Sequence, residues 1–123
     1  MVSALELFPT AVAAAGAKAA AQLDGVDLLP HLGREGGPIR AQHYWRVGPQ
    51  AAFRAGEWKI HRGRGARTWQ LFNLGNDIGE EHDLSATNPA KLAELEKGWE
   101  ALNREMIEPL WGQGGGGGRR AKQ

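Results

Sequence analysis

Apolar and polar residues alternate strictly in two neighbouring runs, Trp58-Lys59-Ile60-His61 and Trp69-Gln70-Leu71. A period of two belongs to strands with one face on a core and the other toward water. Two earlier runs have strand composition: His43-Tyr44-Trp45-Arg46-Val47, rich in aromatic and β-branched residues, and Ala51-Ala52-Phe53-Arg54. Ala55-Gly56-Glu57 separates the latter from Trp58 and predicts a hairpin turning at Gly56. With Thr68–Leu74 as the last strand, these runs describe a small antiparallel sheet.

A helix follows. Asn88-Pro89 reads as an N-cap and first helical residue. Leu92, Leu95, Trp99, Leu102 and Met106 then step by three or four residues, and Pro109 closes the pattern. One helix laid on an antiparallel sheet buries the apolar face of each, so the expected class is α+β.

The N-terminal third is different. Ser3 can cap a helix in which Leu5, Phe8 and Val12 recur at helical spacing. Pro9 either bends that helix from within or starts it as its first residue, and Gly16 is the expected stop. Glu6 and Pro9 interrupt the apolar run and no Lys or Arg precedes it, which argues against a signal peptide or a membrane span. After an alanine-rich stretch, Asp24-Gly25 and Pro30 punctuate a turn, and Gly33–Pro38 reads as a loop.

At 123 residues the chain has no room for a large catalytic barrel. Its net charge of +1 gives no strong field for nucleic acid or membrane. The absence of cysteine removes disulfides, thiolate metal sites and a cysteine nucleophile. Of the five tryptophans, most are expected as core anchors rather than as a sugar platform. No histidine pair has zinc spacing, and no nucleophile elbow, phosphate loop or dinucleotide fingerprint occurs. The group Asn76, Asp77, Glu80, Glu81, His82 and Asp83 is, through its oxygens, either a solvated acidic turn or a hard-cation site. The Gly114–Gly118 run with Arg119, Arg120 and Lys122 is a flexible basic tail, with nucleic-acid contact as a minor alternative.

Three stretches, in order, resemble the sulfatase family. Leu5-Glu6-Leu7-Phe8-Pro9-Thr10 is similar to a D-L-x-P-T stretch late in the large sulfatase domain. Phe53-Arg54-Ala55-Gly56-Glu57-Trp58-Lys59 is similar to an R-x-G-x-W/Y-K strand pair. Trp69–Glu80 with Asp83-Leu84 resembles the E-L-Y-D-L-x-x-D-P-x-E segment and the N/D-L after it. Glu6, Asn73 and Ile78 depart from that pattern, where Asp, Asp and Pro are usual.

The resemblance, to arylsulfatase-like members of the alkaline-phosphatase-like superfamily, implies three segments. Residues 1–40 would be the end of the large α/β domain, 41–111 a small C-terminal subdomain of about four strands and a helix, and 112–123 the tail. It also implies that calcium and the formylglycine formed from a Cys/Ser-x-Pro-x-Arg motif lie upstream. By this resemblance the chain holds no catalytic or metal-binding residue and is inactive alone. Its partner would be the catalytic domain, and sulfated substrate would be met only through the intact enzyme. A free-standing binding module is the alternative. Within the chain, His61, Arg62, Arg64 and Arg67 are the candidates for the mouth of the active site, since guanidinium groups suit anionic substrates.

Overall fold

The computed structural model describes residues 2–33 and 39–107. The chain divides into two compact units, Met1–Ala41 and Gln42–Gln123. Most of the Gly33–Pro38 loop, Pro109, Trp111 and the basic tail lie outside the described residues.

In the first unit Ser3 caps as expected, but what it caps is a 3₁₀ turn, Ala4–Glu6, leading into helix α1, Leu7–Ala14. Pro9 is therefore neither a kink nor the first helical residue. It sits in the first turn of α1, where its missing N–H breaks no bond. Gly16, at φ 65°, ends the helix. The apolar stripe does not become a core: α1 has no buried residue, and Leu5, Leu7 and Phe8 are exposed.

A buried carboxylate organises the unit instead. Glu6, only 1% exposed, accepts hydrogen bonds from the Ser3 backbone N–H and Oγ, both at 2.7 Å, and from Arg40 Nε at 2.6 Å. Arg40 also donates to the Asp24 carbonyl. Thr10 Oγ1 donates to the Glu6 carbonyl at 2.6 Å and accepts from the Leu28 N–H at 3.0 Å. Gly25 packs so tightly that a Cβ there would lie 1.8 Å from the Leu5 carbonyl oxygen. Close backbone approach thus requires glycine at this position.

The second unit is the expected sheet and helix. Strands β1 (Gln42–Val47), β2 (Gln50–Ala55), β3 (Trp58–Arg62) and β4 (Gln70–Asn73) pair antiparallel in sequence order. The first two hairpins turn at Gly48-Pro49 and Gly56-Glu57. Gly48 and Gly56 take φ of 56° and 60°, a conformation a side chain would strain. Helix α2 (Pro89–Glu105) covers one face. Tyr44, Phe53, Ile60 and Leu71 form one row across the four strands. Phe53, Ile60 and Leu71 pack with Ala51 against Leu95 and Trp99 of the helix.

Two details depart from the sequence reading. Asn88 occupies the N-cap position, but its side chain makes no capping bond and turns to Thr87 Oγ1 at 3.1 Å. The helix also stops sooner, at Glu105, with Met106 extended and exposed. The stripe that buries is Leu95 and Trp99, with Leu92 and Leu102 partly covered.

Candidate functional site

Because successive strand residues face opposite ways, His61 and Arg62 cannot share a site. His61 stands on the face turned away from α2, across Ala52 from Trp45. Arg62 points toward the helix. Its guanidinium lies 4.7 Å from the Trp69 ring centre and 5.5 Å from that of Trp99, a pair of cation–π contacts. Arg62 Nε, buried, has no hydrogen-bond partner among the described residues, so these rings are its main company. Trp69 meets Trp99 edge-on at 5.3 Å, and Tyr44 also stacks on Trp99, at 5.8 Å.

Arg64 is exposed at the tip of the turn closed by the Ala66 N–H to the Gly63 carbonyl, 3.2 Å. Arg67 lines a shallow pocket of about 470 Å³ together with Trp69, Asp83, Ser85, Leu92 and Glu96. The four candidates therefore serve one strand face, one core edge, one turn and one acidic pocket. They do not converge.

The network that sequence reasoning missed ties the second and third motif stretches together. Lys59 Nζ pairs with Glu80 Oε1 at 2.5 Å, and the Leu74 N–H donates to the Glu57 carbonyl at 2.7 Å. The acidic turn is held by its own backbone. Asp77 accepts from the N–H groups of Glu81 (3.1 Å) and His82 (2.9 Å), and these bonds, that from His82 foremost, hold its carboxyl below the usual range.

Asp83 Oδ1 accepts from the N–H groups of Leu71 (3.0 Å) and Ser85 (2.9 Å). Burial pushes its pKa up, but those bonds outweigh it and the net shift is downward. Carboxylates spent on backbone N–H groups are poor cation ligands. Among the described residues no group of three His, Cys, Asp or Glu is placed to hold a metal.

The same geometry explains the departures from the family pattern. Glu6 has the reach to close a capping box and meet Arg40. Asn73 Oδ1 accepts from the Gly75 N–H at 3.0 Å, and its carbonyl accepts from Asp77 N–H at 2.9 Å. Ile78 is 79% exposed, where little constrains the side chain.

Toward the end of α2, Asn103 Oδ1 accepts from Tyr44 OH (2.8 Å) and Arg46 Nη1 (2.7 Å), while Arg46 Nη2 reaches the Ile107 carbonyl at 2.5 Å. This clamp fixes β1 to the helix and commits Arg46. No helix among the described residues is long and apolar enough to cross a membrane.

No family model matches the sequence. Solved structures do. The chain is similar to Ps i-CgsB, a carrageenan sulfatase, in complex with k-i-k-neocarrahexaose: TM-score 0.70, 34% identity, covering 89% of this chain and 26% of that one. Ps i-CgsB without the sugar matches at TM-score 0.69 and 35% identity, with the same coverage. BT4656, a glucosamine sulfatase in complex with D-glucosamine-2-N,6-O-disulfate, shares the fold at TM-score 0.65 and 21% identity, covering 81% of this chain and 23% of that one. The chain thus spans about a quarter of the length of the solved sulfatases it matches. Over most of its length it is built like one part of a sulfatase, in agreement with the C-terminal position that the three motif stretches imply.

Proposed function

We propose that this chain is the non-catalytic C-terminal part of a sulfatase acting on sulfated carbohydrate. The observation that carries the reading is the 34% identity to a carrageenan sulfatase, spread over 89% of this chain but only 26% of that one. The chemistry of the residues supports it. Formylglycine needs a Cys or Ser followed by x-Pro-x-Arg, and the chain has no cysteine and only Ser3 and Ser85, neither in that context. Ser3 Oγ is engaged with Glu6, and Asp77 and Asp83 are engaged with backbone N–H groups. On this reading the metal and the nucleophile of the intact enzyme belong to its catalytic domain, since Ser3, Asp77 and Asp83 are already committed to local hydrogen bonds.

The role of this part is structural and positional. Its helix-covered sheet has a core of its own, and the exposed Leu5, Leu7, Phe8 and Leu32 of the first unit offer apolar surface for the catalytic domain. Arg64 and Arg67 are the exposed cations of the loop assigned to the substrate mouth; Arg62 supports that loop from its stack on Trp69.

The pure 123-residue chain, supplied with calcium, should release no sulfate from an aryl sulfate or from k-i-k-neocarrahexaose. Calcium-dependent turnover by this chain alone would overturn the proposal.

A further inference from the structure

The sheet face turned away from α2 carries a concavity beside an exposed tryptophan. Trp45, Ala52 and His61 are direct cross-strand partners on β1, β2 and β3. With neighbouring strands about 4.8 Å apart, the two outer residues stand roughly 10 Å from one another across the small Ala52. Val47 and Gln50, the next cross-strand pair, close one end. The cleft holds about 220 Å³ and is lined by these five residues together with Arg46 and Ala51. Trp45 is 43% exposed, unlike the partly covered Trp58 and Trp69 and the buried Trp99. The buried His43 stacks on it at 5.8 Å with the rings 14° apart, which limits how the indole can turn.

We infer that this cleft is a carbohydrate subsite that recognises a sugar ring rather than its sulfate. A pyranose has an apolar C–H face and a rim of hydroxyls. The indole of Trp45 offers the flat apolar partner, while Gln50 and His61 offer donors and acceptors at the rim. The lining has few cations to spare for an anion. Arg46 is held by Asn103 and the Ile107 carbonyl, which leaves His61 as the remaining titratable group. The choice of sugar rests on the sulfatase reading; the existence of the cleft does not.

The test is a titration of the full 123-residue chain with k-i-k-neocarrahexaose, followed by NMR at the Trp45 indole N–H and the His61 ring. Both signals should shift saturably, and inorganic sulfate at equal concentration should leave them unmoved. Trp45→Ala should weaken binding about tenfold, the upper range for loss of one aromatic contact. Ala52→Leu should abolish binding by filling the floor, on the face opposite the core. Three results would overturn the subsite: no shift at millimolar sugar, the same shifts with sulfate alone, or a folded Ala52→Leu protein that binds as the parent does. Any of these would leave the sulfatase reading standing, because that reading is judged by sulfate release and not by this cleft.

Discussion

Phe53→Ala should cost the second unit about 3–5 kcal/mol of unfolding free energy, the range for emptying a core position of its aromatic ring. Phe53 is 1% exposed and lies in the middle of the Tyr44, Phe53, Ile60, Leu71 row. Its ring fits under α2 at Gly98, where a Cβ would come within 2.8 Å of it. Glycine inside a helix costs about 1 kcal/mol against alanine, so this contact is bought at the expense of helix propensity. No side chain at position 98 can swing down to fill the hole, so the cavity persists. For a unit of this size the loss is a large share of a total of about 5–15 kcal/mol. Trp45, Trp58, Trp69 and Trp99 fall within the second unit and the first unit has no tryptophan, so fluorescence in a urea titration reports unfolding of the second. A loss below about 1 kcal/mol would mean that the helix does not rest on this ring.

The first unit should fail by a different route, because its centre is ionic. Arg40→Met removes the hydrogen bond to Glu6 and that to the Asp24 carbonyl together. A carboxylate left buried without its cation costs about 3–5 kcal/mol, so the hydrogen-exchange protection of the Leu28 amide should collapse at neutral pH.

Acid should reach the same end in the unaltered chain. Burial pushes the Glu6 pKa up, but hydrogen bonds from Arg40 and Ser3 and the Arg40 charge outweigh it and bring it to about 2, from an ordinary 4.5. A carboxyl with a folded pKa below its unfolded one stabilises fully above the unfolded value. That contribution is lost as pH falls through the folded one. Protection of Leu28 should therefore hold above pH 4.5 and decline from there toward pH 2. Protection that is flat across this range, or indifferent to Arg40→Met, would remove Glu6 from the centre of the unit.

Strand and helix positions were legible because their periods survive in the side chains. Trp58/Ile60 and the Leu95/Trp99 pair each bury along a face that the period of two or of 3.6 picks out. The Leu5/Phe8/Val12 stripe has the same spacing and yet buries nothing, since periodicity shows that a face is apolar without showing what covers it. The Glu6–Arg40 pair was invisible because 34 positions separate its members, and no local rule pairs charges at that distance. Lys59 and Glu80 were hidden for the same reason, although they join two stretches already singled out as motifs. Of the candidate site, strand parity alone separates His61 from Arg62. The Trp45–Ala52–His61 cleft needed the register, which depends on the two-residue turn at Gly48-Pro49.

The claim that this chain is one part of a sulfatase is tested most directly by sequencing the DNA that precedes the Met1 codon. If it is that part, the upstream DNA encodes, in the same frame or a shifted one, a domain with a Cys- or Ser-x-Pro-x-Arg motif. A promoter, or an unrelated gene, directly before this codon would contradict it.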